Sequence, residues 1–271
     1  RLIGCSLELG GKNGMIVRAD VDVARAAEIA VRASFANAGQ LCISMERIYI
    51  DAAVYEPFIA AFVSRTKDLR LQPGIGWGAD VGSLISVRQR DRVLAHIADA
   101  IAKGATVLAG GTARPDLGPC YVEPTILAGV TDDMVLCDEE TFGPVVAVYR
   151  THGDEEAIAR ANDTHYGLNA SVLTKDVRAG ERIAERLRAG TVNVNEGYAA
   201  AWGSTRAPMG GMGSSGVGRR HGAEGLLKYT EPQTIATQRM LGFGPQFGMS
   251  DAEWGELLVQ GVAFMKRIGL K

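Results

Sequence analysis

The feature that most constrains this chain is an alternation of short β-branched runs with amphipathic stretches of about a dozen residues. Met15-Ile16-Val17 and residues 47–50, 105–108, 145–149, 170–173 and 191–194 read as strands, the runs at 145–149 and 170–173 being apolar enough for burial on both faces. Residues 22–37, 53–69, 86–103, 154–162 and 176–189 carry helical periodicity. Connections of that length are crossovers, and strands joined through a helix run parallel. The expectation is therefore an α/β fold with a mainly parallel sheet and no internal repeat. Asp20 or Asp22 serves as an N-cap, and Val54, Phe58, Phe62 and Val63 lie near one helix face. Val93, Ile97 and Ile101 form a stripe on another helix, and Gly104 and Gly190 stand where helices end. Residues 199–222, rich in Gly and Ser, read as loop, and residues 251–268 as a closing amphipathic helix.

Charge and cysteine usage exclude several function classes. A net charge of −2 and a pI near 6.1 offer no electrostatic footprint for nucleic acid or for an acidic membrane surface. No apolar run approaches the roughly 20 residues that span a bilayer. The start, Arg1-Leu2-Ile3-Gly4-Cys5-Ser6, has neither a signal-peptide core nor an initiator Met, so the chain is expected to begin inside a longer, cytoplasmic protein. Cys5, Cys42, Cys120 and Cys137 show no C-x-x-C spacing and read as free thiols. His96, His152, His165 and His221 show no metal-ligand spacing, so no metal is expected. Asn162-Asp163-Thr164 and Asn169-Ala170-Ser171 match the glycosylation pattern and are read as chance matches.

Two segments carry chemistry. Leu7-Glu8-Leu9-Gly10-Gly11-Lys12 sets one acid beside paired glycines, which permit close approach of another group. Phe35-Ala36-Asn37-Ala38-Gly39-Gln40-Leu41-Cys42 ends a helix on a polar turn and presents a thiol just beyond it. The residues alone leave two readings of Cys42 open, a reactive thiol or a buried inert one.

In order along the chain, Glu8-Leu9-Gly10-Gly11-Lys12, Asn37-Ala38-Gly39-Gln40-Leu41-Cys42, Glu139-Glu140-Thr141-Phe142-Gly143-Pro144-Val145, residues 161–168, and the glycine segment Ala207-Pro208-Met209-Gly210-Gly211 with Ser215-Gly216-Val217-Gly218-Arg219 resemble the motifs of aldehyde dehydrogenases. The resemblance covers about residues 1–238, and the 34-residue separation of Glu8 from Cys42 is the family's own. It implies oxidation of an aldehyde to its carboxylate with NAD or NADP. Cys42 is then the nucleophile, passing through a thiohemiacetal and a thioester, and Glu8 is the base for hydrolysis. The Cys42 N–H contributes to the oxyanion hole, whose second donor in the family lies upstream of this chain. Glu140 and Phe142 are implied at the nicotinamide ribose, Leu9 and Gly10 under the nicotinamide, and Gln89 at the cofactor. Residues 1–10 become the end of a cofactor domain, 11–208 the catalytic domain, and 209–271 a return segment with oligomer contacts and a tail. Most of the Rossmann-like cofactor domain is then missing, so this chain alone is expected not to bind cofactor tightly. A homodimer or homotetramer is implied.

Gly211-Met212-Gly213-Ser214-Ser215-Gly216 matches G-x-G-x-x-G, but no strand precedes it, and it is not read as a dinucleotide fingerprint. Gly14 stands where the family usually has proline, Gly213 where many members have lysine, and Arg220 where many have an acid. Residues 42–47, 211–213 and 218–222 are most similar to the succinate-semialdehyde branch, with benzaldehyde-type members as an alternative. A substrate with a far carboxylate needs a cation, and Arg206 is the candidate. Aromatic or aliphatic aldehydes, cofactor-free ester hydrolysis, and a non-catalytic assembly role for this chain remain as alternatives.

Overall fold

Parallel strands and crossover helices are what the alternation builds. The computed structural model describes residues 3–239, 242 and 244–269. In chain order the elements are β1 (Leu7–Glu8), β2 (Asn13–Val17), α1 (Val23–Phe35), β3 (Met45–Asp51), α2 (Tyr55–Lys67), α3 (Val87–Ala102), β4 (Thr106–Ala109), β5 (Thr125–Ala128), α4 (Val135–Asp138) and β6 (Val145–Thr151). They continue as α5 (Asp154–Asn162), β7 (Asn169–Leu173), α6 (Val177–Ala184), β8 (Thr191–Val194), α7 (Ala199–Gly203), β9 (Gly216–Val217), α8 (Gly222–Leu227) and α9 (Asp251–Arg267). Seven strands form one sheet in the order β4-β5-β6-β3-β2-β7-β8, parallel except where β4 meets β5. β1 and β9 form a separate antiparallel pair.

Two compact units divide the chain, residues 1–230 and 231–271. The first holds the sheet. β2 and β7 are buried at every position, as central parallel strands covered by helices on both faces must be. The second contains α9, opened by a capping box in which Ser250 and Glu253 satisfy each other's backbone N–H. Leu257, Val259, Val262, Phe264 and Met265 are exposed on it.

The caps follow their chemistry. Asp22 accepts from Arg25 N at the start of α1, and Ser86 from Gln89 N at the start of α3. Gly104 takes φ +101° just past α3, the left-handed position that ends a helix. Four expectations need correction. Ile101 is exposed, because the buried face of α3 runs through Val93, His96, Ile97 and Ala100. The helix expected over 176–189 stops at Ala184: the Asn162 side chain donates to Arg186 O and accepts from Arg188 N, drawing the chain out of helical continuation. Gly190 therefore ends no helix. A Cβ there would lie 1.5 Å from Gly210 O, so glycine is required by close backbone approach. The segment 199–222 is not all loop, since it contains α7, a 3-10 turn at Gly213–Ser215 and β9.

Parallel strands share one amino-terminal edge, and the motif-bearing segments converge there. Asn13 opens β2, Cys42 precedes β3, Glu140 to Phe142 precede β6, and Asn169 opens β7.

Candidate active site

Cys42 sits in a loop whose backbone is held by buried side-chain amides. After α1, Asn37 and Ala38 adopt φ of +53° and +54° and Gly39 of +68°, turning the chain sharply. A Cβ on Gly39 would fall 2.0 Å from Gly143 O, so the turn also packs directly on the segment before β6. Asn13 Nδ2 donates to Cys42 O at 2.8 Å and to Ser44 O at 2.7 Å, while its Oδ1 accepts from Asn169 N at 3.0 Å. Asn169 Nδ2 donates to Ile43 O and Gly197 O, and its Oδ1 accepts from Asn193 and Thr191. Gln40 fixes the outer side, accepting from Ile85 N and donating to Asn37 O and Ser83 O. The Cys42 N–H makes no hydrogen bond to another residue among the described residues.

A buried ion pair fixes the second wall. Lys12 Nζ lies 2.5 Å from Glu46 Oε2, both side chains being almost fully buried. Glu46 also accepts from Thr141 N and Phe142 N, so one carboxylate ties the glutamate motif to the segment before β6. Gln89 Nε2 donates to Thr141 O and Phe142 O at 2.9 and 2.8 Å, and Arg92 donates to Glu140 O. Phe142 is thereby held at φ +52°, a left-handed conformation that costs an aromatic residue about 1–3 kcal/mol and persists only when its surroundings over-determine it. The Glu140 carboxylate reaches back to accept from Gly11 N at 2.9 Å, and a Cβ on Gly10 would sit 2.0 Å from Glu140 Oε2. Burial, against that hydrogen bond, pushes the Glu140 acid up from its ordinary value.

The third wall is built differently. Glu8 lies on β1, whose partner β9 and the Leu9 N to Ser215 O bond are its backbone anchors. Both Glu8 carboxylate oxygens are buried without a hydrogen-bond partner among the described residues. Arg220 Nε stands 3.9 Å from Glu8 Oε2. The three walls meet at the thiol. Burial pushes Cys42 up from its ordinary value, the negative charges of Glu8 and Glu140 push it further, and Arg220 opposes them.

The structure thus brings Cys42, Glu8 and Glu140 together, with Gly10 beneath the Glu140 carboxylate and Gln89 on the carbonyls beside it. Leu9 is exposed, and so is Arg206, whose side chain makes no hydrogen bond or ion pair among the described residues. The glycine segment uses its own amides, Met212 N donating to Gly167 O and Ser214 N to His165 O. Sequence reasoning missed Asn13, Glu46 and Asn169, whose partners lie far away in the chain. Arg220, which departs from the family pattern, faces Glu8. The signal for Glu46 was a charged residue entering an apolar strand at Met45-Glu46-Arg47.

The model of the aldehyde dehydrogenase family matches residues 1–235. The chain belongs to that family. It is 54% identical over 268 residues to a protein of Mycolicibacterium smegmatis named "Putative succinate-semialdehyde dehydrogenase (NADP+)", the match covering 99% of this chain and 52% of the relative. Among solved structures it resembles a variant of betaine aldehyde dehydrogenase from Staphylococcus aureus, with TM-score 0.79 and 35% identity over 85% of this chain and 48% of the other. It is also similar to a Mycobacterium tuberculosis aldehyde dehydrogenase solved with NAD+, with TM-score 0.79 and 40% identity over 84% of this chain and 46% of that one. The chain spans about half the length of the relatives it matches, and its mainly parallel α/β fold is the one those dehydrogenases share.

Proposed function

We propose that this chain supplies the chemistry of an aldehyde dehydrogenase that oxidises succinate semialdehyde, with Cys42 as nucleophile and Glu8 as base. The observation that carries the reading is a buried carboxylate, both oxygens unpartnered, acting electrostatically on a half-buried thiol. The thiol gives its proton to solvent, and the thiolate forms a C–S bond to the aldehyde carbon as the C=O π pair moves onto oxygen. The Cys42 N–H, without another partner, stabilises the oxygen of the resulting thiohemiacetal. After oxidation to the thioester, water attacks the acyl carbon, Glu8 takes the water proton, and the Cys42 sulfur leaves. An unpartnered carboxylate suits that step, because its lone pairs carry no hydrogen bond that the proton of water would have to displace.

The bound nicotinamide, NAD or NADP, supplies one element of chemistry, a hydride acceptor. The residues fit such a group. Gly10 and Gly11 leave room for Glu140 to fold over their backbone, and Gln89 and Glu46 hold Phe142 in a strained position beside it. Glu140 would hold the ribose and Phe142 pack against it, with Leu9 and Gly10 below and Gln89 bracing the segment. The name of the Mycolicibacterium relative supports NADP and succinate semialdehyde. Exposed Arg206 is the candidate for the substrate's far carboxylate. Residues 1–10 would end a cofactor domain, 11–208 form the catalytic domain, and 209–271 return to oligomer contacts in a homodimer or homotetramer.

The test is reduction of NAD and NADP by succinate semialdehyde in the full-length protein, beside Cys42→Ala. Activity that vanishes in the variant supports the reading, and equal rates in both remove it. Arg206→Gln should raise KM for succinate semialdehyde and leave KM for an uncharged aldehyde unchanged; equal effects on both would remove Arg206 as the anchor.

A further inference from the structure

Glu8 breaks a rule that the rest of the site obeys. Buried carboxylates normally collect hydrogen bonds, as Glu46 does, yet among the described residues Glu8 accepts none at either oxygen. The cation facing it is Arg220, with Nε 3.9 Å from Oε2. Arg220 is anchored through its backbone: its N–H and carbonyl both pair with Met209 in an antiparallel bridge. The guanidinium makes no hydrogen bond among the described residues, and its side chain is 47% exposed. Gly210 also lies close to Glu8, since a Cβ there would come within 3.1 Å of Oε1.

We propose that Arg220 is the positioning residue for Glu8, holding the carboxylate toward Cys42 by charge at a separation too long for a hydrogen bond. This rests on Glu8 being the base. A bidentate arginine fork at about 2.8 Å would occupy the lone pairs that must take the proton of water. At 3.9 Å the attraction restrains the carboxylate and leaves both oxygens without a hydrogen bond from the guanidinium. Arg220 also sets a positive charge against the two carboxylates that bear on the thiol. Solvent screening of a half-exposed guanidinium keeps the effect moderate.

The test follows alkylation of Cys42 by iodoacetamide, a neutral reagent, across pH, reading the Cys42 peptide by mass spectrometry. It uses wild type, Arg220→Gln, Arg220→Lys, Glu8→Gln and the double variant Glu8→Gln/Arg220→Gln, with near-UV circular dichroism confirming folding. Arg220→Gln should move the alkylation midpoint to higher pH, slowing the reaction at fixed pH about threefold to tenfold. The slowing should be at least about twice as large in the Glu8→Gln background as with Glu8 present, because a released Glu8 takes its negative charge away from the thiol and offsets part of the loss of Arg220, and Arg220→Lys should recover most of the wild-type behaviour. Equal effects in the two backgrounds, or no rescue by lysine, would overturn the proposal. In the full-length protein, Arg220→Gln should slow steady-state turnover about tenfold and retain the first-turnover burst of reduced nucleotide. A rise in KM for the carboxylated aldehyde alone, with kcat unchanged, would assign Arg220 to the substrate and overturn it. If wild type reduces no nucleotide, the dehydrogenase reading fails separately, and the alkylation cycle still decides whether Arg220 holds Glu8.

Discussion

The Cys42 loop and the Glu8 strand face one another across the same site and are held by opposite means. Cys42 is surrounded by amides with full sets of partners: Asn13 and Asn169 secure the carbonyls of residues 42, 43 and 44, and Gln40 secures the outer turn. Glu8 sits on a two-residue strand, among the described residues without a hydrogen bond to its carboxylate and with one ion pair at 3.9 Å. On the roles proposed for Cys42 and Glu8, the contrast has a chemical sense. A nucleophile must meet a carbon from a fixed direction, so directional bonds to its backbone serve it. A base must accept a proton from a water that arrives and departs, so its oxygens are better left open.

The comparison is broken most severely at the buried pair that ties Lys12 to the segment before β6. Glu46→Gln leaves Lys12 as an uncompensated buried charge and weakens the acceptor for Thr141 and Phe142 N–H. It should cost about 3–5 kcal/mol in urea denaturation, and a loss below about 1 kcal/mol would show that the pair is not what holds this wall. Next is Gly190→Ala, whose Cβ would collide with Gly210 O. It should cost about 1–3 kcal/mol and, because Gly210 borders Glu8, slow the thioester step more than the first turnover. Smallest is the stability effect of Glu8→Gln. With no hydrogen bond to lose, it should stay within about 0.5 kcal/mol of wild type, and a cost as large as that of Glu46→Gln would erase the contrast between the two walls.

The thiol offers a pH test of the same contrast. Burial, Glu8 and Glu140 raise Cys42, so its thiolate fraction near neutrality lies below that of an ordinary cysteine, and alkylation should accelerate with pH through a midpoint above the ordinary thiol range. Glu8→Gln removes one of the charges that raise it, so the midpoint should fall. A midpoint that stays put would mean that Glu8 does not face the thiol in solution.

Local chemistry made the scaffold readable. Runs such as Val145-Val146-Ala147-Val148 announce a doubly covered strand, and Asp22, Ser86 and Gly104 mark helix ends by mechanisms that act within a few residues. β5 escaped because four residues after Pro124 carry too little pattern, and β1 and β9 because two residues carry none. In the site, Cys42 and Glu8 were legible through motifs, whereas the partners that shape their surroundings were not. Asn13 and Asn169 meet across 156 positions, and nothing near either one signals the other. Asn169 looked like part of a chance glycosylation match; it is buried, and its amide is occupied by backbone carbonyls. Gln89, expected at the cofactor, donates to the carbonyls of Thr141 and Phe142, a placement that only the folded path of the segment before β6 could reveal.

The most direct test of the account is a rapid-mixing experiment on Glu8→Gln in the full-length protein with succinate semialdehyde and NADP or NAD. If Cys42 is the nucleophile and Glu8 the base for hydrolysis, the variant should give a burst of about one reduced nucleotide per site and then stall, turning over about 10²–10⁴ times more slowly than wild type, with an acyl adduct on the Cys42 peptide. Steady turnover at the wild-type rate, or a stalled enzyme with Cys42 unmodified, would contradict it.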